Sequence, residues 1–281
     1  MSRRGWALFG AMSLIWGIPY LLIRIAVRDF SPGTLVFART AVGAALLLPL
    51  AVRRGVLRPL LPRWRMLLIY TAVEIAVPWF LLSEAETRLS SSLSGLLVAS
   101  VPLIGAVVLA FLPDGRHDER LSAVRVAGLL IGIGGVAAVV GVDVTARDAW
   151  AVVEVIATAV GYAIGPIIIA RRLADLPSLG VVTASLVVTA VGYAPFAATH
   201  WPDRISASAG WSVLGLGVIC TALAFVVFFA LIDAVGPGRA TVITYVNPAV
   251  AVLLGVLVLG EPLGLGLAVG FPLILLGCVL A

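Results

Sequence analysis

Ten apolar stretches, each about twenty residues long, fill nearly the whole chain, and the segments between them are short. A helix needs roughly 20 residues to cross a hydrocarbon core about 30 Å thick. With 62% hydrophobic and 12% charged residues, a soluble domain of this length could not bury its apolar side chains. The sequence therefore predicts an all-α membrane protein with ten transmembrane helices. The predicted spans are residues 6–27, 33–52, 66–83, 91–112, 123–142, 149–170, 179–198, 210–232, 239–259 and 263–281.

Other classes of protein and site fit the sequence poorly. The stretches are continuously apolar rather than alternating, which argues against a transmembrane β-barrel. Cys220 and Cys278 both lie inside predicted spans and are interpreted as packing residues. His117 and His200 fall in different loops on opposite sides of the membrane, so we expect no metal site. No phosphate-binding glycine loop with a lysine is present, and we expect no cofactor.

All 19 basic residues are arginines, and their distribution predicts an orientation rather than a nucleic-acid partner. With the N-terminus in the cytoplasm, thirteen loop arginines fall inside and four fall outside. This bias predicts that both termini are cytoplasmic. No small-residue cleavage site follows the first apolar stretch, so we expect it to remain as a helix. The inside set is Arg3, Arg4, Arg53, Arg54, Arg58, Arg63, Arg65, Arg116, Arg120, Arg125, Arg171, Arg172 and Arg239, and the outside set is Arg28, Arg88, Arg147 and Arg204.

The chain contains a weak internal repeat. A shift of 146 residues places the run VASVPLIGAVV on the run TYVNPAVAVLL, with Pro102 on Pro248, and sets Trp16 against Tyr162. Since each half has five spans, an odd number, the second half would lie inverted relative to the first. Inverted repeats are a common plan of secondary transporters, although a duplication that serves packing alone remains open. The predicted domains are residues 1–144 and 145–281.

Several stretches resemble the EamA-type branch of the drug/metabolite transporter superfamily. They are SLIWGIPYLLIRIAV, SPGTLVFARTAVGAALL, SSLSGLLVASVPLIGAVV with GLLIGIGGVAAVVG, and AVGPGRATVITYVNPAVAVLLGVLVLGEPL. The most specific points are Asn247-Pro248 and the Leu-Gly-Glu sequence that ends at Glu261. The first-half counterpart of that sequence reads Leu112-Pro113-Asp114, a departure from the pattern. The resemblance implies a ten-helix inner-membrane transporter, commonly an exporter of amino acids, other metabolites or toxic organic compounds.

Glu74 is predicted to lie near the middle of the third span. An ionisable group at that depth costs about 2.5 to 3.5 kcal/mol on insertion scales, so we expect it to face a cavity, a cation or a proton path. Pro78 lacks the N–H that would bond the carbonyl of Glu74, which predicts a kink and a hinge there. Glu74 is therefore a candidate for binding a proton or a cationic substrate group, with a purely structural carboxyl as the alternative.

Arg24 and Arg39 are the two arginines placed within spans. Both match basic positions typical of the family that the chain resembles. A guanidinium can hold a substrate carboxylate through two parallel hydrogen bonds. The alternatives are an ion pair with Glu74 or Asp29, or an anchor at the level of the lipid phosphates.

Aromatic side chains form a second set of candidates. Trp16, Tyr20 and Arg24 are four residues apart, which predicts one stripe on the first helix. Tyr162 is the counterpart of Trp16 in the second half, and Trp79 follows Pro78. Such a lining would suit flat or cationic substrates, although helix or lipid packing explains each aromatic about as well.

The ninth span brings together Thr244, Tyr245 and Asn247 next to Pro248. Proline removes one helical hydrogen bond, so Pro248, and Pro102 in the fourth span, are predicted hinges. A kink that merely improves packing is the alternative. Small-residue ridges at Gly128-x3-Gly132 and Gly266-x3-Gly270 favour close packing inside the chain over a dimer face, and leave both monomer and homodimer open.

These features favour a secondary transporter that exports small amphiphilic metabolites such as amino acids by alternating access. The expected partners are the lipid bilayer, a small-molecule substrate and, through Glu74, protons. A multidrug exporter of aromatic organic cations by proton antiport is the first alternative. An intramembrane enzyme would need a nucleophile–base pair or metal ligands at depth, and a passive channel would conduct without saturation; no enzyme activity and no catalytic residue are predicted.

Overall fold

The computed structural model describes residues 2–111, 123–143, 145, 147–236, 240 and 242–280. Within these ranges every regular element is helical. Seven helical segments are long and apolar enough to cross a membrane, and three shorter helices are also apolar. The long segments are Arg3–Ala26, Pro32–Arg53, Arg58–Ala85, Ser91–Leu109, Ala149–Leu173, Ser178–Thr199 and Ala207–Val235, and the shorter helices are Val126–Gly141, Ile243–Leu259 and Leu265–Leu280.

The described α-helices are numbered in chain order. They are α1 (Arg3–Gly17), α2 (Pro19–Ala26), α3 (Pro32–Arg53), α4 (Trp64–Thr71), α5 (Val77–Ala85), α6 (Ser91–Val98), α7 (Val101–Ala110), α8 (Ala123–Asp143), α9 (Ala149–Ile168), α10 (Ser178–Thr199), α11 (Ala207–Gly217), α12 (Ala224–Val235), α13 (Ile243–Leu259) and α14 (Leu265–Leu280). A 3-10 helix, Arg58–Arg63, precedes α4.

Each predicted apolar stretch coincides with a helical segment in the described residues, with ends that differ by a few residues. Among the described residues, two of the spans predicted as continuous helices contain a non-helical break. The first breaks at Ile18, between α1 and α2, and the fourth breaks at Ala99 and Ser100, between α6 and α7. Pro19 and Pro102 stand at the starts of the following helices, where a missing N–H costs no helical bond.

Several predicted features lie outside the described residues. They are the boundary between the two predicted domains at residue 144, the Leu112-Pro113-Asp114 sequence, His117, and the arginines Arg116, Arg120 and Arg239.

Serine side chains cap the N-termini of three of the described helices. The hydroxyl of Ser2 accepts a hydrogen bond from the N–H of Gly5, and Ser90 and Ser206 do the same for α6 and α11. Each serine satisfies one of the N–H groups that a helix start leaves without a partner. The connecting segments can therefore be short without leaving those groups unsatisfied.

Three π-helical turns lie in the long spans of the described structure. They are Ala72–Ala76 between α4 and α5, Ile169–Leu173 after α9, and Val218–Leu223 between α11 and α12. The first and the third start 146 residues apart, which is the shift that relates the two halves of the sequence. π-Helical turns are often found at functional sites.

The helices pack in pairs that link the two halves of the chain. Helix α3 packs along α10, α5 packs along α9, and α6 packs against α13. The closest contact joins α8 and α14. A Cβ at Gly277 would overlap the backbone of Gly132, and one at Gly135 would lie 2.8 Å from the backbone nitrogen of Ile274. The predicted small-residue ridges therefore lie in the contact between α8 and α14 of the same chain.

Apolar side chains occupy both the core and the outer surface. Leu35, Leu96 and Leu97 are fully enclosed, whereas Trp211, with 73% of its surface exposed, and Leu257, with 71% exposed, point outward. In water such a surface would aggregate, and in a bilayer it meets acyl chains. The outer surface therefore fits a membrane environment.

Candidate functional site

Glu74 lies in the π-helical turn Ala72–Ala76 and is partly buried. Its Oε2 is enclosed and has no hydrogen-bond partner among the described residues. The carboxyl group fills the space left by Gly165 in α9, where a Cβ would overlap it. Pro78 follows at the second position of α5, so the predicted kink takes the form of a π-helical turn that ends just before the proline.

Two neighbouring helices hold the backbone around this turn. The hydroxyl of Tyr193 in α10 donates a 3.0 Å hydrogen bond to the carbonyl of Ala76. The hydroxyl of Thr158 in α9 donates a 3.1 Å hydrogen bond to the carbonyl of Pro78. These two hydrogen bonds tie the backbone on either side of Val77 to α10 and α9.

Arg39 is buried in the middle of the molecule, with 4% of its surface exposed. Its guanidinium carbon lies 3.6 Å from the centre of the Trp79 ring. One terminal nitrogen donates a 3.5 Å hydrogen bond to the hydroxyl of Thr221 in the third π-helical turn, while Nε has no partner among the described residues. Tyr162 of α9 interacts electrostatically with Arg39. Arg39, Trp79 and Tyr162 therefore come together, as expected for a shared site.

Glu86, directly after α5, is a buried acid that the sequence analysis did not single out. It is fully enclosed, and neither carboxyl oxygen has a hydrogen-bond partner among the described residues. Arg24 donates a 2.5 Å hydrogen bond to the main-chain carbonyl of Glu86 rather than to its carboxyl group. The charges of Arg24, Glu261 and Arg39 all act on this carboxyl, and Tyr20 lies close to it. Arg24 and Arg39 thus converge near Glu86 rather than near Glu74.

Glu261, in the segment between α13 and α14, caps the start of α6. Oε1 accepts hydrogen bonds from the backbone N–H and hydroxyl of Ser91, at 2.8 and 3.0 Å. Oε2 accepts the same two kinds of bond from Ser92, at 2.9 and 2.5 Å. Burial acts to raise the pKa of Glu261, but the hydrogen bonds from Ser92 and Ser91 outweigh it and bring the pKa below its ordinary value.

Asp29 has a different partner from the one considered in the sequence analysis. Its carboxylate accepts hydrogen bonds from the backbone N–H of Ser206 at 2.7 Å and from the hydroxyl of Ser206 at 2.5 Å. The hydrogen bonds from the side chain and backbone of Ser206 hold the pKa of Asp29 below its ordinary value. Asp29 therefore anchors the start of α11.

The predicted stripe on the first helix is divided by the break at Ile18. Trp16 packs among aromatic residues of α12, with its ring centre 4.7 Å from that of Phe228. Tyr20 lies in another cluster, against Gly95 of α6. Tyr20 and Arg24 thus belong to the group around Glu86, and Trp16 does not.

The candidates in α13 mainly serve contacts between helices. The hydroxyl of Tyr245 donates a 3.2 Å hydrogen bond to the carbonyl of Cys278 in α14. With its amide correctly oriented, Asn247 donates to the carbonyls of Ser13, at 3.2 Å, and Ile243, at 3.0 Å. Thr244 lies in the same first turns of α13, and α13 continues through Pro248 without a break. Among the predicted hinges, Pro78 and Pro102 thus coincide with helix interruptions and Pro248 does not.

The chemistry available in this central group is that of charge recognition. The buried carboxyl of Glu86 lies near two arginines from neighbouring helices, Arg24 and Arg39, and the ring of Trp79 lies against Arg39. Within the described residues, no group of three or more histidine, cysteine, aspartate or glutamate side chains could hold a metal ion.

Comparison with known proteins identifies a family and several relatives. The model of the EamA-like transporter family matches residues 3–141 and again residues 149–281. "Uncharacterized inner membrane transporter YedA" of Escherichia coli is 29% identical over 91% of this chain and 84% of its own length. "Uncharacterized transporter YvbV" of Bacillus subtilis is 24% identical over 95% of this chain and 88% of its own length.

A further relative carries a more specific name. "Probable terminal-alkyne amino-acid exporter" of Streptantibioticus cattleyicolor is 25% identical over 93% of this chain and 87% of its own length. A solved crystal structure matches with a TM-score of 0.68 at 23% identity, and it covers 99% of this chain and 96% of its own, which shows a shared fold. Since the family model covers nearly the whole sequence in two consecutive matches, the chain belongs to the EamA-like transporter family, whose members are multi-pass membrane transporters of the drug/metabolite transporter superfamily.

Proposed function

We propose that this protein is an inner-membrane secondary transporter that exports small amphiphilic metabolites, amino acids in particular, by alternating access. The observation that carries the proposal is the buried group in which Arg39 is paired with Trp79 and bonded to Thr221 of the opposite half. A buried arginine without a carboxylate partner is a candidate receptor for a substrate carboxylate. The protein would act as a carrier and not as an enzyme.

The packing of the helices supports two inverted halves, residues 1–144 and 145–281, each with five spans. Under the 146-residue shift, the contact of α1 with α12 is the counterpart of the contact between α5 and α9, and the contact of α2 with α11 is the counterpart of the contact between α4 and the π-helical turn Ile169–Leu173. The contact of α9 with α7 is the counterpart of the contact between α1 and α13. Such paired contacts are expected of two similar halves that rock about a shared site.

The arginine distribution supports cytoplasmic termini. In that orientation Glu86 and Glu261 lie toward the outer side of the membrane, and Glu74 lies deeper. The inner-membrane location is supported by the printed name of the Escherichia coli relative, and amino-acid cargo by that of the Streptantibioticus relative.

Glu74 is the candidate for proton coupling in this scheme. Its carboxyl projects from the π-helical turn before α5 and packs against Gly165 of α9. A movement of α9 against α5 would therefore change the surroundings of the carboxyl. A carboxyl whose surroundings change between two states can take up a proton on one side and release it on the other. A purely structural carboxyl would leave transport independent of its protonation.

The multidrug alternative is less well supported by the aromatic residues. An aromatic or organic cation would need an open ring face, and the face of Trp79 is occupied by the guanidinium of Arg39. The ring of Trp16 is packed against Phe225 and Phe228. Cation export through these side chains would require both contacts to be broken.

Counterflow of radiolabelled amino acids in proteoliposomes tests the proposal. Wild type and Glu74→Gln are compared at pH 6 and pH 8, with Glu84→Gln, a partly exposed acid of the same span paired with Arg88, as the control. We expect saturable exchange by wild type and the control, and loss of its pH dependence in Glu74→Gln. An unchanged pH profile in Glu74→Gln would refute the coupling role, and exchange of aromatic cations alone would support the alternative.

A further inference from the structure

Glu86 presents a buried carboxyl group that makes no hydrogen bond to the described part of the chain. The residue is fully enclosed, and both oxygens lack a hydrogen-bond partner among the described residues. A carboxylate in such a place is costly unless a cation or hydrogen-bond donor completes it. The arrangement therefore points to a cationic group that is brought in from outside the chain.

The nearest arginine does not fill that role. Arg24 lies next to Glu86 but donates its 2.5 Å hydrogen bond to the main-chain carbonyl. Arg39 interacts with the carboxyl electrostatically, while its own contacts go to Trp79 and Thr221 and its Nε is left without a partner in the described structure. An unfilled acceptor and an unfilled donor thus occur in the same buried group.

These two unfilled groups match the two charges of an amino-acid zwitterion. We propose that Glu86 binds the ammonium group of an amino-acid substrate while Arg39 binds its carboxylate. The inference rests on the proposed function, because it requires amino-acid cargo. It adds to that function the residue that distinguishes an amino acid from a simple carboxylic acid.

Glu74 does not offer the same pair. It interacts with Tyr70 and Tyr162, and no arginine of the described chain interacts appreciably with its carboxyl. Around Glu86, in contrast, Arg24 and Arg39 act on the carboxyl together with the acid Glu261, so two positive charges face two negative ones. A zwitterion adds its carboxylate beside Arg39 and its ammonium beside Glu86, and leaves this balance of charge unchanged.

The inference can be tested by competition against counterflow of radiolabelled phenylalanine, leucine and threonine in proteoliposomes. For the amino acid that wild type exchanges, the competitors are the unlabelled amino acid, its N-acetyl derivative, which lacks the ammonium charge, and the amine that lacks the carboxylate. We expect each analogue to compete at least about tenfold more weakly, the factor that one lost charged hydrogen bond produces. Equal competition by the N-acetyl derivative in wild type would overturn the inference.

Variants of Glu86 test whether its carboxylate makes the contact with the ammonium group. In Glu86→Gln we expect the discrimination against the N-acetyl derivative to fall to less than about threefold, and in Glu86→Asp, which keeps the charge, to be partly restored. Glu84→Gln, which changes a partly exposed acid two residues away, should discriminate as wild type does. Retained discrimination in Glu86→Gln would overturn the inference and leave the proposed function intact.

Two other outcomes are also decisive. If Glu86→Gln does not give a monodisperse protein, the wild-type competition series still tests recognition of the ammonium group. If wild type exchanges none of the three amino acids, the amino-acid cargo of the proposed function is refuted, and the inference fails with it.

Discussion

Both carboxylate oxygens of Glu261 bind consecutive serines, and the shortest of the four hydrogen bonds is the 2.5 Å contact from the hydroxyl of Ser92 to Oε2. Glu261 follows α13 in the second half of the chain, whereas Ser92 belongs to the first turn of α6 in the first half. A carboxylate at a helix N-terminus satisfies free N–H groups and interacts favourably with the helix dipole. The contact therefore fastens the two halves together at one end of the molecule.

Glu261→Gln should destabilise the protein in a pH-dependent way. Because Glu261 has a lowered pKa in the folded state, its contribution is fully present above its ordinary pKa of 4.5 and is lost as the pH falls through the lowered value. We expect a loss of about 1 kcal/mol at pH 7, the low end for charged hydrogen bonds because the group is partly exposed. Thermal unfolding of wild type and Glu261→Gln in detergent between pH 7 and pH 3 measures the difference.

The stability difference between wild type and Glu261→Gln should shrink as the pH falls below about 4.5. It should vanish where the carboxylate of folded wild type is neutral too. Taking the difference removes the contribution of Asp29, whose lowered pKa acts in the same pH range in both proteins. A gap between the two unfolding temperatures that stayed constant down to pH 3 would show that the carboxylate charge is not what stabilises the contact.

Gly165→Ala should displace the carboxyl of Glu74. A Cβ at this position would lie 2.7 Å from Cδ of Glu74, so the flexible acid has to move away from α9. We expect a folded protein whose transport rate falls on the order of tenfold, since small displacements of a functional group have large kinetic effects. Gly192→Ala, where a Cβ meets open space, serves as the control. Equal rates in the two variants would argue against a role for the position of Glu74.

Arg39→Lys should weaken substrate binding although it keeps the positive charge. An ammonium cannot reproduce the flat contact with Trp79 while it also reaches Thr221. We expect a stability loss of about 1 to 2 kcal/mol from the buried cation–π contact and a higher half-saturation concentration for exchange. Arg53→Lys, at an exposed position, is the matched control. Unfolding curves and counterflow kinetics measure the two effects, and wild-type values in Arg39→Lys would contradict the assignment.

The sequence was sufficient to predict the apolar helices, because hydropathy is a local property of the chain. It was not sufficient to predict the pairing of Arg39 with Trp79, since these residues lie on different spans and meet only after packing. Glu86 was missed for a related reason. It falls just beyond the predicted span 66–83, where an acid is expected to reach water, and only the packing of neighbouring helices encloses it.

The capping role of Glu261 could not be predicted from the sequence either. The Leu-Gly-Glu sequence was recognised as a point of resemblance, but nothing local to it indicates that its carboxylate caps α6. The division of the Trp16, Tyr20 and Arg24 stripe likewise depends on a break at Ile18 that a continuous apolar pattern does not reveal. The transmembrane spans can therefore be predicted from hydropathy, whereas the partners of buried polar groups cannot.

Gly135→Ala and Gly134→Ala provide a test of the contact between α8 and α14 at adjacent positions. A Cβ at Gly135 would lie 2.8 Å from the backbone nitrogen of Ile274 and 2.9 Å from the backbone oxygen of Gly270, and backbone cannot move aside as a side chain can. We expect Gly135→Ala to destabilise the protein by about 1 to 3 kcal/mol, the usual range for overpacking. A Cβ at Gly134 meets nothing within 4 Å, so Gly134→Ala should be neutral or slightly stabilising, as alanine favours helix.

Thermal unfolding and size-exclusion chromatography of both variants distinguish helix packing within one chain from a dimer face. Selective loss of stability in Gly135→Ala at unchanged oligomeric size supports packing within one chain, whereas dissociation of an oligomer without loss of stability would assign the ridge to a dimer face.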